Sequence, residues 1–409
     1  MIVCRLSYAR RARSSSSRSV LFVALCSAVA CGDGRPETED TSRSTVQVSD
    51  SAGVTNIALG RVEDLSVPDL ETRLVFSTRE RGIELFYVGD AVLLGDGSLA
   101  LANTGASEVL LFSGDGSLST RIGGQGEGPG EFSAITTLIG TPEGFVAYDA
   151  RLARLTEFSA SGEFLDSRPL SAQSAIVDLR PLAIAADGSM LAILGEQRFF
   201  MPEGTKRDTT PLLAFADPGT EPDTLAMLPA TEWSYGEIPG GGVTRREPGF
   251  GRDIVAGGFR DRAILGDTEL LVLSVHDAEG RLTRRIRGSA GGWPVTADEI
   301  ETSRAARLAR RGPDAPDWYV EFVENAPFRE THPAFHSAVL GPEELVWIGL
   351  ATRPAEETRG WLVIGPDGQP RGRLNLPADA SVLAVAADRF VVLQRDALEE
   401  EEVRLYRYR

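Results

Sequence analysis

Short runs of apolar residues, each bounded by a turn, recur along most of this chain. The turn pairs Asp96-Gly97, Glu143-Gly144 and Asp187-Gly188 place their glycines 47 and 44 residues apart. A second series, Asp115-Gly116 and Ser161-Gly162, has a spacing of 46 residues. Turn residues between alternating or continuous apolar runs are typical of β-hairpins. Two hairpins in each period of about 45 residues predict four strands per repeat, which is the size of a propeller blade.

The pattern therefore predicts an all-β fold, a six-bladed β-propeller, over residues 51–409. Five units cover residues 84–122, 135–170, 177–228, 250–287 and 334–376, and the third carries a polar insertion at residues 201–210. The sixth begins at Val382 and has three strands before the chain ends. We expect the stretch Val46–Leu59 to supply its outer strand, because closing the ring with strands from both termini removes an open sheet edge.

A helical segment, residues 296–326, interrupts the β pattern between blades 4 and 5. Thr296 and Glu299 have the spacing of a capping box, and Gly312 follows the arginines that would end the first helix. A second short helix is predicted from Pro316 to Asn325. The insertion must emerge on one face of the ring, and two roles remain open for it: a lid over the central channel or a lateral prop against the blade edges.

The first thirty residues have the order of an export signal. Basic residues from Arg10 to Arg18 precede the apolar stretch Val20–Val29. A helix needs roughly 20 apolar residues to span a bilayer, and this stretch is about half as long. We interpret residues 1–30 as a removed signal peptide.

The residues around Cys31 resemble the lipobox of bacterial lipoproteins, in which small residues precede a cysteine that is diacylated. The stretch reads Ala28-Val29-Ala30-Cys31-Gly32, with Ala28 where leucine is usual. All three cysteines lie within the first 31 residues, so Cys31 would be the sole cysteine of the exported protein. The resemblance implies lipid attachment at Cys31. The alternative is cleavage after Ala30 by the ordinary signal peptidase, which would leave Cys31 as a thiol.

Charge and composition limit the partners and the membrane location that we expect for the exported part. The net charge is −17, and removal of the first thirty residues, which hold five arginines and no acid, leaves 37 basic and 59 acidic residues, a net charge of −22. Such a surface repels phosphate backbones, so nucleic acid is excluded as a partner. Residues 31–50 are mostly polar and predict a flexible, lipidated tether. Gly32 after the cysteine favours the outer membrane, with the domain facing the periplasm or the cell surface.

The most specific motif is the glycine-rich stretch from Gly123 to Phe132, Gly-Gly-Gln-Gly-Glu-Gly-Pro-Gly-Glu-Phe. Together with Asp149 and the strand Arg154–Phe158, it resembles the NHL repeat, in which such a crossover enters a new blade. The signal and the opening Asp50–Val54 are similar to those of bacterial six-bladed propeller lipoproteins. The resemblance implies a fold far more than an activity. A phosphate-binding loop would need a following Gly-Lys-Ser/Thr, which is missing.

Few residues offer catalytic chemistry. His332 and His336 are four apart, but Pro333 between them disfavours a helix and no glutamate completes a zinc motif. The acidic run Glu399–Glu402 lacks the spacing of a calcium loop and is interpreted as a solvated hairpin. The sequence therefore assigns no catalytic residue, no metal ligand and no cofactor.

Two functions from different classes remain. The first is a membrane-anchored, extracytoplasmic, non-catalytic binding or scaffolding module that recognises a protein, peptide or glycan on one face of the ring. The second is a divalent-metal-dependent hydrolase or lactonase, with a cation such as calcium held by carboxylates in the central channel, as in gluconolactonase-like propellers.

Overall fold

The computed structural model describes residues 46–170, 179–195, 204–237, 243–396 and 398–409. Residues Arg43–Arg409 form one compact unit, and all described elements belong to it. The predicted signal peptide, Cys31 and most of the predicted tether lie outside the described residues. In the described part of the chain no helix is long and apolar enough to cross a membrane.

Strands dominate the described residues. From the N-terminus they are β1 (Gln47–Ser51), β2 (Val54–Arg61), β3 (Thr72–Ser77), β4 (Val88–Leu93), β5 (Leu99–Asn103), β6 (Glu108–Phe112), β7 (Leu118–Gly123), β8 (Ile135–Gly140), β9 (Gly144–Asp149), β10 (Arg154–Ser159), β11 (Phe164–Pro169), β12 (Leu179–Ile184), β13 (Met190–Leu194), β14 (Gly204–Phe215), β15 (Asp223–Glu237) and β16 (Val243–Arg246). After them come β17 (Ile254–Phe259), β18 (Arg262–Asp267), β19 (Val272–Asp277), β20 (Leu282–Ser289), the helices α1 (Ala297–Arg311) and α2 (Asp317–Glu324), β21 (Phe335–Leu340), β22 (Val346–Leu350), β23 (Thr358–Ile364), β24 (Pro370–Pro377), β25 (Ser381–Val385), β26 (Arg389–Arg395) and β27 (Glu401–Tyr408).

Six antiparallel sheets form a closed ring. Blades 1 to 5 are β4–β7, β8–β11, β12–β15 with β16 added, β17–β20, and β21–β24. Blade 6 combines β25–β27 with β3. Each first strand contacts the first strand of the next blade, and β25 contacts β4, so the first strands surround the axis. The six predicted blades are confirmed.

The outer strand of blade 6 differs from the prediction. It is β3, Thr72–Ser77, which pairs with β27. The predicted stretch Val46–Leu59 instead falls largely within the hairpin β1–β2, and β2 lies parallel to β20 at the outer edge of blade 4. In the segment between β2 and β3, Leu70 donates its backbone N–H to the carbonyl oxygen of Arg373 in blade 5. The ring is closed by an N-terminal strand, but that strand comes later in the chain because the preceding segment first passes along blades 4 and 5.

An apolar cluster fills each space between neighbouring blades. Blades 1 and 2, for example, share Phe132, Phe145 and Phe158, whereas Trp347 and Trp361 lie between blades 5 and 6. Side chains of a strand alternate between its two faces, so every blade offers one apolar face to each neighbour. Burial of these faces is the dominant stabilising contribution to the ring.

The strand order defines two faces of the ring. Because strands within a blade are antiparallel, the connection between strands two and three and the crossover to the next blade lie on one face, which we call the crossover face. The turns between strands one and two, and between three and four, lie on the other, the turn face. Each first strand begins at the crossover face.

Both large insertions lie on the crossover face. The helices α1 and α2 belong to the crossover from blade 4 to blade 5, and the predicted capping box of Thr296 and Glu299 is present. The second insertion extends β14 and β15 beyond blade 3 as a long hairpin, Gly204–Thr210 with Pro229–Glu237, to which β16 pairs. The sequence indicated only a polar insertion there, and its Gly204–Thr210 part is strand.

Candidate functional site

The glycine-rich crossover from blade 1 to blade 2 is held by two motif residues. Arg154 donates to the carbonyl oxygens of Glu127, Gly128 and Glu131 at 2.6–3.3 Å. Asp149 is buried and accepts four backbone N–H groups, those of Ser133, Ala134, Arg151 and Leu152. Gly123 has φ +96°, and a Cβ there would overlap the Phe132 ring. These contacts give the motif a structural role, as the sequence predicted.

The axis of the ring contains a cavity of about 540 Å³, lined by the first strands of all six blades. Its polar lining lies near the crossover face, where these strands begin: Asp90, Thr136, Arg180, Asp253 and His336. Further along the strands the lining is apolar, with Leu93, Ile139, Leu340 and Val385. The channel therefore has a polar mouth on the crossover face and an apolar interior.

Asp90 connects blades 1 and 2 across the channel wall. Its Oδ1 accepts the backbone N–H of Ala91 at 2.8 Å, and its Oδ2 accepts that of Leu138 at 2.9 Å. Burial raises the pKa of this carboxyl from 3.8 to about 6, although these N–H groups and the positive charge of Arg180 act in the opposite direction.

The raised pKa of Asp90 predicts a pH-dependent stability. Between pH 4 and 6 the folded state holds a proton at Asp90 that the unfolded state has lost, so the free energy of unfolding falls as pH rises. After allowing for channel water, the loss should be about 1–2 kcal/mol. We expect Asp90→Asn to remove this component in denaturant titrations across that pH range. Asp223→Asn, at an exposed strand end, is the control. If the unfolding free energies of the wild type and Asp90→Asn depend on pH in the same way, the pH-dependent stability does not come from Asp90.

Three basic groups near the mouth lack an acceptor among the described residues. No hydrogen bond or ion pair with a described residue involves the Arg180 guanidinium, although its charge acts on Asp90. Enclosure and the charge of Arg359 lower the pKa of His336 to about 4. Burial also lowers the pKa of Arg359, whose Nε is buried without a hydrogen-bond partner in the described structure. An entering carboxylate would satisfy such groups.

The channel continues sideways beneath the long hairpin of blade 3. A cavity of about 300 Å³ between blades 2 and 4 shares Thr136, Arg180 and Asp253 with the channel. A third cavity, of about 290 Å³, shares Thr210 and Thr231 with the second. The three together form a continuous groove from the axis to the hairpin.

The hairpin has two chemically different faces. One is fastened to the rest of the protein, since Arg207 pairs with Asp267 at 2.8 Å and Arg246 donates to the backbone of Phe322 and Asn325. The other lines the third cavity with Lys206, Trp233, Tyr235 and Arg245. The Arg245 guanidinium lies 4.1 Å from the centre of the Trp233 ring. Strand alternation separates these two sets.

The helical insertion is anchored beside the mouth. Glu299 pairs with Arg353 at 2.6 Å and lies 3.3 Å from the buried His332, whose ring packs on Phe250. Although burial opposes ionisation, hydrogen bonds from Thr296 and Arg353 and the neighbouring His332 ring lower the pKa of Glu299 to about 2. Within the described residues the channel lining includes none from the insertion, whose anchoring contacts are instead with Arg353 and His332.

The two histidines that the sequence singled out are separated by the fold. His332 lies beneath α1, whereas His336 lines the channel. Among the residues that the structure describes, no three His, Cys, Asp or Glu side chains are placed to hold a metal ion. Cys31, the predicted lipid attachment residue, lies outside them.

The acidic run Glu399–Glu402 is only partly solvated. Glu399 and Glu400 are exposed, as predicted for a hairpin. Glu401 pairs with Arg395 at 2.7 Å and accepts the backbone N–H of Val88, which ties blade 6 to blade 1. Glu402 is buried, pairs with Arg404 and accepts the Ser77 hydroxyl of β3. The prediction of a fully solvated run is therefore corrected for its last two residues.

Sequence reasoning missed the channel mouth. Asp90 and Arg180 interrupt otherwise apolar first strands near their N-terminal ends. That position is the available signal, because polar residues in first strands near the crossover face point to the axis. The aromatic lining of the hairpin had no comparable signal, since its register depends on the pairing of β14 with β15.

Comparisons with known proteins agree with this architecture. Residues 38–180 match the model of the DUF5128 family, described as a 6-bladed beta-propeller. The chain is a six-bladed β-propeller. No curated protein matches it.

Several solved structures resemble this propeller. A member of the DUF4221 family from Bacteroides vulgatus is 11% identical, with a TM-score of 0.47 over 84% of this chain and 99% of that one. A candidate exported protein from Bacteroides fragilis is 10% identical, with a TM-score of 0.42 over 91% and 98%. A gluconolactonase from Xanthomonas campestris is 11% identical, with a TM-score of 0.39 over 89% and 95%.

Proposed function

We propose that this propeller is exported, is anchored to the outer membrane through a lipid on Cys31, and binds a partner at its crossover face without chemical conversion. The observation that carries the binding role is the continuous groove from the axial channel to the long hairpin. A groove with a few convergent polar groups is typical of a ligand site. The partner is a protein, peptide or glycan segment that lies along it.

The chemistry of the mouth indicates which part of the partner enters it. Arg180, His336 and Arg359 have no acceptor among the described residues, and Arg presents a planar fork that suits a carboxylate. Asp90 and Asp253 can accept hydrogen bonds from the same ligand. We therefore infer that the mouth binds a carboxylate-bearing segment that also carries N–H or hydroxyl donors.

The described residues support the binding role more than the alternative, a metal-dependent hydrolase. Both oxygens of Asp90 accept backbone N–H groups, and Asp253 Oδ1 accepts from the Thr231 hydroxyl and the backbone N–H of Ile254. These carboxylates hold the ring together, and no third His, Cys, Asp or Glu of the described structure joins them as a metal-ligand set. A stoichiometric divalent ion in the purified protein, with stability that falls on EDTA treatment, would overturn this conclusion.

The Arg180 guanidinium provides the test of the binding role. The purified protein is titrated by calorimetry with oligopeptides bearing free or amidated C-termini, and with uronic-acid or neutral oligosaccharides. We expect binding of carboxylated members alone, and a loss of at least about tenfold in Arg180→Gln, since a charge-assisted hydrogen bond contributes about 1.5–3 kcal/mol.

The matched control is Arg371→Gln, at an exposed arginine just after a turn-face turn, which should bind as the wild type does. Equal affinity for carboxylated and neutral ligands, or no effect of Arg180→Gln on a ligand that binds, would contradict the proposed role of the mouth.

A further inference from the structure

Large apolar side chains are exposed mainly on the crossover face. Among the described residues five are more than half exposed: Phe86 (58%), Tyr87 (70%), Met227 (55%), Leu270 (65%) and Leu398 (80%). All except Met227 lie in crossover-face connections. Single exposed apolar residues are normal on a protein, but their concentration at the loop tips of one face indicates an interaction surface.

These tips belong to blades 4, 6 and 1. Phe86 and Tyr87 lie in the crossover from blade 6 to blade 1, Leu398 in blade 6 and Leu270 in blade 4. Trp318, 41% exposed, lies on α2 between blades 4 and 5. We call this set the apolar rim. Among the residues that the structure describes, blades 2 and 3, where the groove lies under the long hairpin, add none to the crossover-face part of this set.

Tyr87 is held on the rim in a costly backbone conformation. Its φ is +51°, in the left-handed region that tyrosine rarely adopts. The backbone N–H of Thr104 donates to the Tyr87 carbonyl, and the Asn103 side chain accepts the N–H of Phe86. Strain of this kind persists where the surrounding structure enforces it, and it clusters at functional sites.

Positive charge lies at one part of the rim, beside Trp318. The last eight residues of α1 include Arg304, Arg307, Arg310 and Arg311 and no acid. No residue of α1 is buried, and both Arg310 and Arg311 are exposed. The Arg311 guanidinium lies 5.7 Å from the centre of the Tyr319 ring, next to Trp318 on α2. Arginines beside aromatic side chains match a lipid headgroup region, where phosphates lie next to apolar chains.

The tether enters the described domain on the same side. β20 runs toward the crossover face and β2 is parallel to it, so the antiparallel β1 begins at the crossover face of blade 4. Fifteen residues separate Cys31 from Gln47. At most they span about 50 Å when fully extended. A lipid on Cys31 would therefore limit the distance between the start of β1 and the bilayer to about 50 Å.

We propose that the apolar rim docks onto the surface of the lipid bilayer. This inference rests on the lipid anchor of the proposed function, and it adds an orientation: blades 4, 5, 6 and 1 face the lipid, whereas the groove of blades 2 and 3 stays open. The anchor makes docking effectively intramolecular, so partial burial of a few side chains is sufficient.

The test measures binding of the purified Cys31→Ser protein to vesicles, so that no acyl chain contributes. Vesicles of phosphatidylethanolamine with phosphatidylglycerol, and of phosphatidylcholine alone, are sedimented with the protein. The double variant Tyr87→Asn/Leu398→Ser should lower partitioning at least about tenfold, because each fully buried side chain contributes about 1.5–3 kcal/mol. Asparagine tolerates the left-handed backbone at position 87.

The matched control is Phe164→Ser/Leu165→Ser, which removes two exposed apolar residues (44% and 47%) from the outer strand of blade 2. It should partition as the parent does. Arg310→Gln/Arg311→Gln should weaken binding only to the vesicles with phosphatidylglycerol. Absence of vesicle binding, or an equal loss in both double variants, would overturn the docking surface. A rim that binds a protein but no vesicle would also overturn it. The titration with Arg180→Gln tests the groove separately.

Discussion

Replacement of Asp149 by alanine should lower the free energy of unfolding by about 4 kcal/mol, because it leaves several buried backbone donors without an acceptor. The Asp149 side chain is fully buried. Its Oδ2 accepts the N–H groups of Ser133 and Ala134 at 2.6 and 3.1 Å, and its Oδ1 those of Arg151 and Leu152 at 3.0 and 2.9 Å. One side chain thus fixes both the crossover into blade 2 and the turn that follows β9.

The measurement is chemical denaturation at neutral pH, with Asp187→Ala as the control. Asp187 occupies an exposed turn and accepts only the N–H and hydroxyl of Ser189 among the described residues, so its removal should cost about 1 kcal/mol or less. Asp149→Asn keeps one acceptor oxygen and should lie between the two. Equal losses for Asp149→Ala and Asp187→Ala would show that the crossover is held by its glycine geometry and Arg154 alone.

Replacement of Cys31 by serine should transfer the exported protein from the membrane fraction to the soluble fraction. The lipobox-like sequence around Cys31 makes acyl chains the expected attachment. Stable anchoring takes more than one acyl chain, which diacylation supplies. We expect the effect to be close to all or none. Without the acyl chains, only the weaker contacts of the apolar rim would hold the protein at the membrane.

Cys26→Ser is the matched control, since Cys26 lies within the apolar stretch of the signal. It should fractionate as the wild type does and incorporate labelled fatty acid, whereas Cys31→Ser should not. If the unaltered protein carries no fatty acid and is soluble, ordinary cleavage after Ala30 is the correct interpretation of the signal. If Cys31→Ser keeps the label, another residue is acylated.

The number of blades was predictable because each blade repeats the same local requirements. The turn glycines Gly97, Gly116, Gly162 and Gly188 have φ between +83° and +92°, a conformation that other residues rarely adopt. Their positions in the sequence therefore mark the turns of the hairpins, and their spacing gives the length of one blade. The helix α1 was predictable for a similar reason, since its capping box needs only residues within one turn.

The strand that closes the ring was not predictable from the local sequence pattern. Both Val54–Leu59 and Leu74–Phe76 have strand-like composition, and local pattern does not distinguish their partners. Phe76 is buried and stacks on Phe112 with ring centres 5.1 Å apart, which completes the core between blades 6 and 1. Ile57 instead packs in the cluster of blades 4 and 5. Complementarity with distant residues decided between the two segments.

The sequence by itself determined the repeat, the blade boundaries, the helical insertion and the acidic character of the chain, because each depends on neighbouring residues or on composition. Only the tertiary structure brought Asp90, Arg180 and His336 of three different blades to one channel mouth. It also placed the start of β1, the apolar rim and the helical insertion on the same face. The physical reason is that convergence at an axis or on a face depends on ring closure and strand register, which are set by contacts between residues far apart in the chain.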